Sequence, residues 1–148
     1  EGRSVDDKFY RQVRDLVSTE QINKSFIFTG WRKDIRNIIA DLDILVQAST
    51  TFPEGFGLTC IEAMASEKPV VATNIPGPSE IVLDGETGFL VPPKDVNALA
   101  EAILKILKGK DLSRKMGMEG KRRVEEFFDV RRTVKNLEEI YENEFIRN

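Results

Sequence analysis

The sequence predicts an α/β domain: a three-layer parallel sheet with helices on both faces, continued by a helical C-terminal part. Two observations predict it. Short apolar runs, among them Ile44-Leu45-Val46, Val70-Val71-Ala72 and Phe89-Leu90-Val91, alternate with segments of helical periodicity. Such alternation marks strand–helix–strand units, whose parallel strands are buried on both faces and read as continuous apolar runs. After Pro92-Pro93 the strand signals stop and only helical spacing remains.

Taken in order, Phe9, Val13, Leu16 and Val17 recur at helical spacing and predict an amphipathic helix over residues 6–19. Ser25-Phe26-Ile27-Phe28, ending at Gly30, reads as a buried strand. Asp34 is placed to cap a second helix, with Ile35, Ile38, Ile39 and Leu42 on its inward face. Residues 44–46 form the second strand and 54–57 a strand-to-helix loop. The next helix starts at Leu58 and ends before Pro69, and Leu58, Ile61 and Ala65 are expected to pack on the sheet. Residues 70–72 are the third strand. Pro76-Gly77-Pro78 is a turn leading to a short helix over 79–83, and 89–91 are the fourth strand. Val96, Leu99, Ile103 and Leu107 mark a helix ended by Gly109. Residues 116–127 mark another, and Val134, Leu137, Ile140, Tyr141 and Phe145 a last one. Neither a repeat nor an internal linker interrupts residues 1–148, so one domain is expected.

Composition removes several function classes. A net charge of −3 and a pI near 5.2 argue against nucleic acid as a partner, because a polyanion demands a basic stripe. With no histidine, neither a histidine general base nor a histidine metal site is available. The single cysteine, Cys60, cannot close an internal disulfide and reads as a small apolar residue on its helix. No apolar run approaches a membrane span, and residues 1–20 do not read as a signal peptide.

The chemistry concentrates in Glu54-Gly55-Phe56-Gly57-Leu58-Thr59-Cys60-Ile61-Glu62. Glycines let a backbone approach a ligand closely. A helix starting at Leu58 offers unpaired N–H groups and a positive dipole end, which suit a phosphate. Carboxylates on either side of such a site can accept hydrogen bonds from sugar hydroxyls, and a nucleotide-diphosphate sugar fits. Thr59, Glu62 and Ser66 share one narrow helix face. The plainer alternatives are that Glu62 is an acid favoured by the helix dipole and Glu54 a solvated loop acid. The loops 30–33, 49–57 and 73–79 are expected to leave the carboxyl ends of strands, where parallel sheets bind ligands. In the first of them Arg32 either stacks on a base or faces water, while Trp31 reads as a packing residue. Phe56 is expected to shape its loop by packing. Asp41 and Asp43 read as structural acids, and 121–123 and 131–132 as solvated basic helix faces.

The acid–seven residues–acid pattern from Glu54 to Glu62 resembles the signature of retaining glycosyltransferases of the two-domain GT-B architecture, more narrowly glycosyltransferase family 4. Phe28-Thr29-Gly30, Asp43-Ile44-Leu45-Val46, Lys68-Pro69-Val70-Val71-Ala72-Thr73, Gly77-Pro78-Ser79-Glu80-Ile81-Val82 and Asp84-Gly85-Glu86-Thr87-Gly88-Phe89-Leu90-Val91 carry the resemblance in the same order, over residues 25–145. It implies a Rossmann-like domain, the donor-nucleotide half of a GT-B enzyme that moves a hexose from a nucleotide-diphosphate sugar to an acceptor with retention of configuration. It implies that Glu54 is catalytic, holding hydroxyls of the transferred sugar, and that Glu62 grips the ribose. Gly55, Phe56, Gly57, Leu58 and Thr59 would meet the diphosphate and sugar, and Arg32 the base. No metal and no cofactor are expected, and the enzyme would be cytoplasmic, with a peripheral place at the membrane if its acceptor is a lipid.

The resemblance also implies parts that this sequence does not supply. Family members carry an Arg and a Lys near the start of this domain, in the loop after its first strand, and residues 1–24 offer no match. An N-terminal domain would hold the acceptor, whether glycan, lipid or small molecule. Phe128 is followed by Asp129-Val130 where a Trp is common. The sequence is therefore expected to be a fragment lacking its first strand, inactive alone, with an unpaired sheet edge that invites self-association. Two other readings stay open: a non-catalytic nucleotide-binding regulatory module, and a glycogen-synthase-like enzyme of the same fold.

Overall fold

The computed structural model describes residues 7–50 and 55–145. The backbone divides into two compact units, Glu1–Ile35 and Arg36–Asn148.

In the first unit, helix α1 (Asp7–Thr19) forms where the spacing predicts it. Of its apolar set Val17 is buried, while Phe9 and Leu16 remain exposed. The expected strand at 25–28 does not form, and Ile27 is 82% exposed. The segment is held by rings instead. Phe26 and Phe28 lie 4.7 Å apart, and Phe28 meets Tyr10 edge-on at 5.3 Å. The Arg14 guanidinium covers both Tyr10 and Phe28. A strand exists only where a second backbone exchanges hydrogen bonds with it, and none of the described residues does so here.

The second unit carries the sheet. Strands β1 (Leu45–Gln47), β2 (Val70–Thr73) and β3 (Gly88–Val91) lie side by side in that order, all parallel. Leu45 pairs with Val70 and Val70 with Gly88, so the three strands start level, and β1 ends one residue short of β2 and β3. β2 is buried along its whole length, as a central strand between two covered faces must be. Its Val70 and Ala72 join Ile39, Cys60, Ala63, Met64, Ile81 and Val82 on one face. Its Val71 joins Val91, Ile106 and Met116 on the other. This side-to-side alternation is the period-two geometry of a strand turned into two cores.

Helix α2 (Ile35–Asp41) delivers the buried Ile39 to the first core. Helix α3 (Leu58–Ala65) buries Cys60, Ala63 and Met64, not the expected Leu58, Ile61 and Ala65. Leu58 is 65% exposed, Ala65 is exposed and Ile61 is half-buried. Helix α4 (Pro78–Ile81) is a single turn beginning at a proline, where the missing N–H costs no intrahelical bond. Helix α5 (Val96–Lys108) is capped by Asp95, whose carboxylate accepts from the Ala98 N–H at 2.9 Å. Lys105 and Lys108 complement the dipole at its other end. Helix α6 (Lys110–Phe127) packs across α3, with Met116, Gly117 and Gly120 buried. Helix α7 (Val130–Phe145) keeps Val130, Val134, Leu137, Ile140 and Tyr141 exposed. Among the described residues no helix is long and apolar enough to cross a membrane.

Candidate functional site

The entrance of α3 turns on a left-handed glycine. Gly57, its N-cap residue, is buried with φ 83° and ψ 38°, in the left-handed region that residues with a Cβ seldom adopt. A Cβ there would lie 3.3 Å from Ile81 Cδ1 and 3.5 Å from the Pro78 nitrogen. Gly57 therefore joins the starts of two helices, α3 and α4, beyond the carboxyl edge of the sheet. Gly57 has no side chain with which to cap α3, and among the described residues none does so. Leu58 and Thr59, the first two helical residues, are exposed. Their N–H groups stand in the first turn, where a helix has no acceptors of its own and its dipole favours an anion.

Glu62 lies one turn further along and is exposed beside Thr59. Among the described residues no cation pairs with its carboxylate. Its carbonyl accepts the Ser66 hydroxyl at 3.0 Å, so Ser66 is used within the helix. Gly55 is exposed and has open space around its α-carbon. Phe56 packs as expected: its ring meets Phe128 edge-to-face at 6.0 Å. Glu54, the expected catalytic acid, lies outside the described residues.

The edge itself is built by side chains the sequence reading passed over. The Thr73 hydroxyl, at the end of β2, donates to the Ser49 carbonyl at 2.6 Å and ties down the chain leaving β1. Gln47, at the end of β1, accepts from Cys60 Sγ at 2.9 Å. Cys60 is thus buried as expected and also joins helix to strand. Beside these groups a cavity of about 140 Å³ opens among Ala48, Thr50, Thr73, Val91, Lys94 and Leu99. A buried Thr directly after an apolar strand was the one available signal, since its hydroxyl needs a partner.

Arg32 belongs to the first unit. It donates to both Asp34 oxygens, at 2.8 and 2.6 Å, a bidentate pair in an exposed setting. That bond holds the Asp34 carboxyl below its ordinary value and the Arg32 guanidinium above its own. Trp31 is 75% exposed, with the Lys33 ammonium 5.9 Å from its ring centre. The loop 30–33 follows no strand, so its expected origin at a strand end is not met.

Two basic clusters resolve differently from one another. Lys121 pairs with Glu67, and Arg122 with Glu119 and Glu126, in the manner of solvated helix faces. Arg131 pairs with Asp129. Arg123 departs from that pattern, because its guanidinium is spent on backbone carbonyls and aromatic rings. Asp41 and Asp43 are exposed, and no group of metal-binding side chains occurs among the described residues.

Residues 6–123 match the family model described as glycosyl transferases group 1. The chain belongs to that family. It is 38% identical over 114 residues to a putative glycosyltransferase, EpsD, of Bacillus subtilis, covering 77% of this chain and 29% of that protein. A glycosyltransferase structure from Rickettsia africae superposes with a TM-score of 0.88 at 32% identity, covering 95% of this chain and 37% of that one. Anabaena HepE, solved in complex with UDP, superposes equally well (0.88) at 26% identity, over 93% of this chain and 37% of that one. HepE has also been solved in complex with UDP-glucose. The Rossmann-like sheet and the helical C-terminal part of this group 1 domain are those of GT-B glycosyltransferases. The chain spans about a third of the length of these relatives.

Proposed function

We propose that this chain is the donor-binding domain of a retaining hexosyltransferase of family 4 type. The open entrance of α3 carries the reading. It combines a left-handed Gly57, exposed and uncapped Leu58 and Thr59, and an exposed Glu62 one turn away. The free N–H groups would receive the diphosphate. The Glu62 carboxylate would accept both ribose hydroxyls at once, as a two-oxygen acceptor can. Glu54 would hold the hydroxyls of the transferred sugar and orient its anomeric carbon. With no nucleophile–base pair in the sequence, the acceptor would attack from the face the leaving group departs. The enzyme would contribute orientation and charge stabilisation.

The acceptor, and the cations that neutralise the leaving diphosphate, would be held by parts of a longer protein. The 148-residue chain alone is then expected to bind a donor weakly and to turn none over. The edge of β1 away from β2 would pair with further backbone, including that of a second copy.

Calorimetry tests the proposal. UDP-glucose should bind the chain more tightly than UDP, and glucose alone should not bind. Glu62→Gln should weaken UDP-glucose by roughly 10-fold or more, the value of hydrogen bonds to a charged acceptor. Equal affinity for UDP-glucose and UDP, with no effect of Glu62→Gln, would favour a plain nucleotide-binding module.

A further inference from the structure

Three consecutive cations, Lys121, Arg122 and Arg123, sit on α6, and only the first two pair with carboxylates. Arg123 is half-buried and points its guanidinium at α4. Its Nε donates to the Ile81 carbonyl and its Nη2 to the Glu80 carbonyl, both at 2.8 Å. Those carbonyls end α4, a helix too short to bond them internally. The planar fork of arginine reaches two acceptors at once, which an ammonium cannot do in a fixed geometry.

The same guanidinium lies 5.6 Å from the Phe128 ring centre and 5.2 Å from that of Phe127. Phe128 is the C-cap residue of α6 and presents its ring to Phe56, 6.0 Å away at 69°. Ile81 Cδ1 in turn closes on Gly57. The turn 56–57 is therefore gripped twice, by Phe128 on Phe56 and by Ile81 on Gly57. Arg123 touches both grips.

We infer that Arg123 is a positioning residue: through Phe128 and the end of α4 it holds the Gly57 turn in the shape that opens the first N–H groups of α3 to the donor diphosphate. The inference rests on the proposed function for its ligand, but its coupling can be measured without one. No carboxylate among the described residues competes for Arg123, so the coupling uses its cation–π and backbone contacts alone.

Amide hydrogen exchange on the 148-residue chain reads the coupling. The Cys60 N–H, bonded to the Gly57 carbonyl at 2.9 Å, reports the first turn of α3. Arg123→Lys and Phe128→Leu should each speed its exchange roughly threefold to tenfold relative to amides of α5, the scale of one lost aromatic or cation–π contact. Phe128→Trp, which restores a ring, should return it to the parent rate. UDP-glucose affinity should fall in the first two variants and recover in the third. Unchanged Cys60 exchange, or equal acceleration in α3 and α5, overturns the coupling. The predicted exchange pattern in a parent chain that binds no UDP-glucose overturns the donor reading instead.

Discussion

Gly117 presses its α-carbon against the end of α3: a Cβ built on it would sit 2.1 Å from the Glu67 carbonyl oxygen. Glu67 is itself in the left-handed region, at φ 58°, where the chain turns out of α3. The turn is closed by the Lys68 N–H donating to the Ala63 carbonyl at 2.9 Å. Two backbones thus touch where α6 crosses α3. Gly117→Ala should lower stability by about 1–3 kcal/mol, because the neighbouring atom is backbone and cannot step aside. The gain of about 1 kcal/mol in helix propensity runs the other way and is smaller. Urea denaturation checks this, and an unchanged or raised midpoint contradicts it.

Gly57 and Gly55 should respond differently to a methyl group. Gly57→Ala forces a Cβ into a left-handed residue, at about 1–2 kcal/mol, and brings it against Ile81. At Gly55 a Cβ would meet nothing within 4 Å. Gly55→Ala should therefore leave stability within about 0.5 kcal/mol of the parent. Paired denaturation curves decide, and equal losses at the two positions would remove the special status of the Gly57 turn.

The Lys121–Glu67 ion pair, at 2.8 Å, should show itself through pH. The hydrogen bond from Lys121 holds the Glu67 carboxyl below its ordinary value of 4.5. The same bond, donated to Glu67, holds the Lys121 ammonium above its ordinary 10.5. A lowered carboxyl contributes stability above 4.5 and loses it as pH falls through the lower folded value. A raised ammonium contributes below 10.5 and loses it as pH rises through the higher folded value. Glu67→Gln should thus be less stable than the parent at neutral pH and should converge with it in acid. Both partners are exposed, so the difference should be small and shrink with added salt. A constant gap across the acid range, measured by denaturation midpoints, contradicts the assignment.

Strand β1 pairs with β2 on one side, and among the described residues nothing pairs with its other side. Its Val46 is 39% exposed. An open apolar edge recruits further backbone. Light scattering should show association growing with concentration, reduced by Val46→Lys. A strict monomer at high concentration contradicts this.

Much of the sheet was legible because a parallel strand needs little beyond apolar content and length. Val70–Thr73 and Gly88–Val91 fall within a residue of where their runs predict them. The glycine turn before Leu58 was legible for a related reason, since few turns but an open helix start call for glycines there. What sequence could not supply was partnership. Ser25–Phe28 has strand composition, yet a strand is a property of two backbones, and its rings found Tyr10 instead. The inward face of α3 was equally hidden. Six of its eight residues are apolar, so spacing could not choose between Leu58–Ile61–Ala65 and Cys60–Ala63–Met64. The approach of α6 through Gly117 and Gly120 made that choice. Arg123 was misread because a short basic cluster gives no sign of which member faces backbone carbonyls 42 and 43 positions away.

Trp31, the chain's only indole, stands in water and in the smaller unit. At that exposure its emission should already have the colour of a solvated fluorophore. A dye or a quencher exploiting that residue reports on its own unit. Optical work on the larger unit has to begin by planting a reporter there.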